Sequence, residues 1–314
     1  MHWAEIGEVG FTGGTRLLFR VYRHCGRRPF RALLFFVIAW FFVTHGLARR
    51  ASLDYLRHLH RASGGTTPTP KLRNSFRHFM NFAETLLDKM LACDVRLETL
   101  PGHTEGIEHF TRLIDEKRGA LIITAHLGNL ELCRRMAKDQ VRIKLTVLAH
   151  TRHAQKFNRM LNALDLEQEV VDTIDITAAM RLSERVAAGG FVVIAGDRVP
   201  VTPGSATLTY PFLGEDACFP LGPYILAAAL ACPVLTLFSA RRADGFSVTA
   251  RLLAERIVLP RRERQQAILP YLREYVAALT EECQKNPLQW FNFFPFWQQA
   301  SAVQTAMETN DEKL

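Results

Sequence analysis

Between Ala32 and Ala48 the chain reads ALLFFVIAWFFVTHGLA, a run without fixed charge that is apolar on every face of a helix. As one helix it reaches about 26 Å, slightly short of a hydrocarbon core of roughly 30 Å. Arg27, Arg28 and Arg31 precede it, and Arg49 and Arg50 follow it. Positive charge at both ends favours neither orientation, which suits a helix dipping into the cytoplasmic leaflet with both ends inside. Tryptophan and phenylalanine beside arginines form an interfacial pattern. A buried core helix is the other reading of the same run.

The segment Ser63 to Pro70, SGGTTPTP, is linker-like. Beyond it, Leu72, Phe76, Phe79, Ala83, Leu86, Leu87 and Met90 recur at helical spacing. This predicts an N-terminal membrane-associating helical module over 1–64, a second domain over 71–300 and a disordered tail over 301–314. The second domain alternates strands and helices. Ala120–Ala125, Lys144–Ala149, Phe191–Ala195, Pro233–Phe238 and Phe246–Leu252 are short apolar runs of the kind that form buried strands. Leu272, Tyr275, Val276, Leu279 and Cys283 make a late helical stripe, with Pro270 suited to the first turn. Strands interleaved with helices predict an α/β sandwich.

Composition adds two constraints. Lys and Arg total 39 against 31 Asp and Glu, a net charge of +8, which suits anionic partners such as phospholipid headgroups or an acidic carrier protein. The basic residues are dispersed and carry no nucleic-acid motif, which argues against nucleic acid as a partner. The six cysteines are scattered without a CxxC pair, the usage of reduced thiols, and no metal-ligand spacing occurs.

The segment TAHLGNLE, Thr124 to Glu131, carries the chemistry. His126 falls at the carboxyl end of a predicted buried strand, where α/β sheets place their sites. Glu131 is five residues on. Within one continuous helix the two side chains diverge by about 140°, so they meet only if His126 lies in the turn and Glu131 in the first helical turn. Gly128 and Asn129 permit such a turn. Neutral histidine is matched to deprotonating a hydroxyl near pH 7. A carboxylate on its other ring nitrogen fixes the tautomer and stabilises the imidazolium. The nucleophile then comes from the substrate. Backbone N–H groups at the helix start are candidates for binding developing negative charge. The competing reading is a helix-capping loop with an incidental histidine.

HLGNLE resembles the H-x4-D/E motif of the lysophospholipid acyltransferase superfamily, and most of all its lipid A late (lauroyl/myristoyl) acyltransferase branch, where the block reads like HxGNWE. Arg152 in AHTRHAQKFNRML, Asp197 in IAGDRVP, the stretch SATLTYPFLGEDACFPLGPYILAAALACPV and the block NPLQWFNFFPFW fall in that branch's order. The resemblance spans roughly Trp3 to Trp297. Leu130 in place of tryptophan, Arg198 after Asp197, and aromatics instead of arginines after Trp290 fit a divergent subgroup.

The resemblance implies a mixed central sheet flanked by helices, as in glycerolipid acyltransferases. It implies transfer of a fatty-acyl group from acyl carrier protein or coenzyme A to a lipid or glycolipid hydroxyl. It further implies attachment to the cytoplasmic face of the bacterial inner membrane and no metal or organic cofactor. His126 and Glu131 are then catalytic, with Asn129, Arg152, Asp197 and Arg198 as substrate-binding candidates. For Asp197 two readings stand: an Arg–Asp pair holding two loops, or a group that positions Arg152 or an acceptor hydroxyl. The aromatic run after Trp290 lines an acyl channel, sits at the interface or closes the core. A non-catalytic lipid-binding protein with the same fold is the alternative function, and an intact His126–Glu131 pair argues against it. A serine hydrolase is disfavoured because no G-x-S-x-G is present.

Overall fold

The computed structural model describes residues 22, 24–91, 102–129, 145–149, 168–170, 176–200 and 206–298. Glu131, Arg152 and the 301–314 tail lie outside these residues.

The apolar N-terminal run is not one helix. It forms α1 (Arg27–Thr44), breaks at His45 and continues as α2 (Gly46–Ala62), with 94° between the two. Thr44 and Gly46 are poor helix formers, and the break satisfies its own backbone. Thr44 Oγ1 donates to the Trp40 carbonyl, and the Arg49 guanidinium donates to the carbonyls of Phe42 and Val43. Among the described residues no single helix is long and apolar enough to cross a membrane, although the bent pair passes that test jointly. The outer face of α1 leaves Phe36, Trp40 and Val43 70%, 72% and 71% exposed.

The linker-like segment is a tight turn between α2 and α3 (Leu72–Leu91). It does not separate two cores. Tyr55, Leu56 and Leu59 of α2 belong to the same buried cluster as the sheet. His58 stacks on Trp297 at 4.0 Å, and its Nε2 lies 2.6 Å from Glu215.

The other elements are β1 (Gly102–Glu105), α4 (Glu108–Asp115), β2 (Ala120–Thr124), β3 (Leu145–Ala149), β4 (Gln168–Val170), α5 (Ile176–Ala187), β5 (Phe191–Ala195), β6 (Thr207–Phe212), β7 (Glu215–Pro220), α6 (Gly222–Leu230), β8 (Val234–Arg242), β9 (Gly245–Ala254) and α7 (Arg264–Lys285). Seven strands form one sheet in the order β1-β9-β8-β2-β5-β3-β4. All neighbours are parallel except β8 and β9, which form an antiparallel hairpin, so the sheet is mixed. All five expected strands are present. The two central ones, β2 and β5, send alternate residues to opposite faces: Leu121, Ile123, Val192 and Ile194 into one apolar cluster, Ala120, Ile122, Phe191 and Val193 into the other. Burial on both faces is why these strands read as unbroken apolar runs.

Four strands gave no such signal. β1, GHTE, is exposed throughout at one edge, and β4 lies at the other. β6 and β7 form a separate hairpin turned by Leu213 and Gly214, both at positive φ, as a two-residue type I′ loop requires. The late stripe is buried as expected on α7, but the helix starts at Arg264, so Pro270 is interior rather than in the first turn. Ile268, fully buried before the proline, gives that first turn its own packing.

Candidate active site

β2 and β5 pair in parallel with Thr124 opposite Ala195. The same register carried two residues further brings His126 beside Asp197. The ring Nδ1 of His126 lies 2.8 Å from Asp197 Oδ1, and the His126 backbone N–H donates to Oδ2 at 2.9 Å. The carboxylate on this ring nitrogen is therefore Asp197, a post that local spacing had assigned to Glu131.

Asp197 is fully buried. Its Oδ2 also accepts from the Trp290 indole at 2.9 Å and from the Asn292 amide at 3.0 Å. Burial works against ionisation, yet the adjacent His126 ring, its hydrogen bonds and the Arg198 charge outweigh it and hold the carboxyl well below the usual range. An ionised, acceptor-only carboxylate requires the proton on Nδ1, so neutral His126 presents its lone pair at Nε2. The His126 side chain is 36% exposed. Asp197 thus faces the histidine and has no surface for an acceptor hydroxyl, which corrects its placement among substrate-binding residues.

Arg198 is held in part by the aromatic block. Its Nε donates to Asn292 Oδ1 at 2.7 Å, Nη2 donates to the Phe291 carbonyl at 2.9 Å, and the guanidinium lies 5.7 Å from the Phe294 ring. Burial lowers its pKa to about 10 against the pull of Asp197, so it stays cationic near neutrality. Asn292 bridges the two charges. This is the loop-holding arrangement, with Asn292 between acid and base.

The turn after His126 is held from both sides. Leu127 bridges Trp290, with Phe291 N–H donating to the His126 carbonyl and Gly128 N–H to the Gln289 carbonyl, each at 2.8 Å. Gly128 sits at φ +61°, and a Cβ there would fall 1.7 Å from the Ser239 carbonyl oxygen. Only glycine lets the turn approach β8 this closely. Asn129 is buried; its N–H meets Ser239 Oγ at 3.3 Å, and that hydroxyl donates to the Asn129 carbonyl at 2.6 Å. The N–H groups of His126, Gly128 and Asn129 are therefore engaged within the protein and do not serve developing charge. The aromatic block closes the core: Trp290, Phe296 and Trp297 are buried and pack on Phe212.

Sequence reasoning brought His126, Asn129, Asp197 and Arg198 to this place, and missed Trp290, Asn292 and Ser239 as their partners. The one signal was an asparagine and an indole inside an otherwise apolar block. What results is a half-exposed histidine backed by a buried carboxylate at the carboxyl end of a parallel strand, an arrangement with the chemistry to take a proton from a hydroxyl.

No curated protein matches the chain. Among solved structures, the crystal structure of the 1-acyl-sn-glycerophosphate (LPA) acyltransferase PlsC from Thermotoga maritima aligns over 82% of this chain and 98% of that one. Its identity is 14% and its TM-score 0.35, a likeness too slight to carry an argument. The family model described as bacterial lipid A biosynthesis acyltransferase matches residues 73–299, most of the chain and all of the site just described, and the chain belongs to that family.

Proposed function

We propose that this acyltransferase moves a fatty-acyl group from an acyl-carrier-protein or coenzyme A thioester to a hydroxyl of a lipid or glycolipid, with His126 as general base. The His126–Asp197 pair carries this reading. Nε2 takes the proton of the acceptor hydroxyl as its oxygen bonds to the thioester carbonyl carbon. The carbon–sulfur bond then breaks, and the imidazolium returns the proton to the departing thiolate. Asp197 keeps Nδ1 protonated and stabilises the imidazolium between those steps. Outside the described residues, Arg152 remains a candidate for substrate contact and Glu131 a candidate for a catalytic role.

We place the reaction at the cytoplasmic face of the inner membrane. The exposed Phe36, Trp40 and Val43 on α1 support this, because a soluble surface rarely carries such a patch unoccupied. The test is twofold. Mass spectrometry of lipids from cells with and without the gene identifies the acylated product. The purified His126→Ala protein, folded in detergent, is expected to make that product about 10² to 10⁴ times more slowly. Near-normal turnover would remove His126 as base.

A further inference from the structure

His78 on α3 is fully buried, far from solvent and outside the family motif. Its Nε2 lies 2.9 Å from the Trp290 carbonyl, and its Nδ1 lies 3.0 Å from Ser52 Oγ on α2. Ser75 Oγ in turn donates to Ser52 Oγ at 2.9 Å. The directions of this chain are determined. A carbonyl only accepts, so Nε2 carries the proton; Nδ1 then accepts from Ser52, whose oxygen accepts from Ser75. All three side chains are buried. Burial pushes His78 down to about 4 against the pull of the Trp290 carbonyl, so it is neutral under physiological conditions. The rings around it belong to Tyr55, Phe291 and Phe293.

The carbonyl that His78 holds belongs to the residue whose indole holds Asp197. The same oxygen also accepts from the Asn292 N–H at 3.1 Å, and the Asn292 amide is the other side-chain donor to Asp197 Oδ2 besides Trp290. His78 thus fixes the turn from which both donors project. A buried polar network of this kind is costly unless every member is satisfied, and this one spans α2, α3 and the catalytic loop.

We propose that His78 is a positioning residue for the proton-transfer centre: through Trp290 and Asn292 it sets the Asp197 carboxylate against His126, and so ties the N-terminal helices to the chemistry. The proposal rests on His126 being the base of an acyl transfer. α2 and α3, which follow the helix with the exposed apolar face, are then part of the site's scaffold.

The test uses the full chain in detergent and reads His126 directly. Histidine ring signals are titrated by NMR without substrate, His126 being assigned from the His126→Ala spectrum. Two variants are compared. His78→Phe removes the donor and keeps the ring volume. His78→Gln places an amide N–H close to the position of Nε2–H. The expected result is a fall in the His126 midpoint of about half a unit or more in His78→Phe, because a displaced carboxylate stabilises the imidazolium less. His78→Gln is expected to stay near wild type. With the lipid acceptor identified, kcat is expected to fall about 10-fold or more in His78→Phe, with the KM for the thioester little changed. Folding is checked by thermal melting of both variants. An unchanged His126 midpoint in a folded His78→Phe protein overturns the proposal, whatever its activity. Near-normal turnover in His126→Ala removes His126 as the base and leaves the NMR result standing on its own.

Discussion

Asp197 meets His126 at two points: Oδ1 faces the ring Nδ1 at 2.8 Å, and Oδ2 takes the backbone N–H at 2.9 Å. Ring and strand end are therefore fixed by one carboxylate. Asp197→Asn removes the charge; its carbonyl oxygen can keep the three donors that meet Oδ2, which turns the NH2 towards His126 Nδ1 and drives the ring into the wrong tautomer. Turnover is expected to fall by about 10² to 10⁴, the range for losing a histidine's orienting carboxylate. Steady-state kinetics on protein whose melting shows a folded chain check this. A loss of less than about 3-fold would separate Asp197 from the chemistry.

Gly128 and Gly214 test how closely the catalytic turn must pack. Both have positive φ, so alanine at either costs about 1 kcal/mol of backbone strain. Gly214 has open space around it, whereas a Cβ at Gly128 meets the Ser239 backbone. Gly214→Ala is expected to lower the melting temperature slightly and leave activity alone. Gly128→Ala is expected to displace the turn, with a larger melting shift and most of the activity lost. Equal behaviour of the two variants would mean that contact with β8 does not matter.

How much of this was legible follows from burial. β2 and β5 are covered on both faces, so their apolar runs and the polar residues that end them stand out. β1 has no apolar residue to announce it, and its pairing with β9 is long-range. The histidine was visible for the same reason as its strand, but its carboxylate partner was not. Glu131 is near in sequence, whereas Asp197 comes alongside only once β2 pairs with β5, 71 residues apart. The bend at His45 was hidden because hydropathy does not register a helix break inside an apolar run.

His78 also makes stability depend on pH. Its folded-state pKa, about 4, lies below the 6.5 of an unfolded histidine, so the unfolded chain binds a proton first as pH falls. The contribution is complete above about 6.5 and is lost towards about 4, up to about 3 kcal/mol. Wild type is expected to melt lower at pH 5 than at pH 7, and His78→Gln is expected to lose much of that difference. Asp197, with its pKa depressed, adds stability that disappears only below about pH 4. Parallel pH profiles for wild type and His78→Gln would contradict this.

The outer face of α1 gives a binding prediction. Replacing Phe36 and Trp40 together by serine removes two exposed apolar groups, each able to contribute about 1.5 kcal/mol or more on burial in lipid. Partition onto phosphatidylethanolamine–phosphatidylglycerol vesicles is expected to drop about 100-fold in a sedimentation assay. Val258, 69% exposed beyond the end of β9, serves as the control. If Val258→Ser weakens binding as much as the α1 pair, the surface is not on α1.

The donor can be distinguished by where the arginines lie. Three pairs in the sequence suggest a docking surface for an acidic carrier protein: Arg134–Arg135, Arg241–Arg242 and Arg261–Arg262. The first lies outside the described residues. Arg241 and Arg242 end β8, which runs parallel to β2 and so finishes on the His126 side of the sheet. β9 returns antiparallel and ends opposite Val234, and Arg261 and Arg262 follow in the connection to α7. α7 then travels about 33 Å before the chain reaches Trp290. A carrier protein delivering a thioester to His126 is expected to dock near Arg242. The Arg241 guanidinium is already paired with Glu84, so its loss would also cost that contact. Arg242 is 55% exposed, with Asp244 no closer than 3.9 Å. Arg242→Glu is therefore expected to slow transfer from acyl carrier protein several-fold at low salt, the effect fading as salt rises. Transfer from acyl-coenzyme A is expected to change less. Arg261→Glu with Arg262→Glu is expected to leave both donors unaffected. Initial rates in detergent, with no anionic bilayer present, keep membrane binding out of the comparison. Equal salt profiles for the two donors would remove the carrier protein, and a stronger effect at Arg262 than at Arg242 would move the docking site away from Arg242.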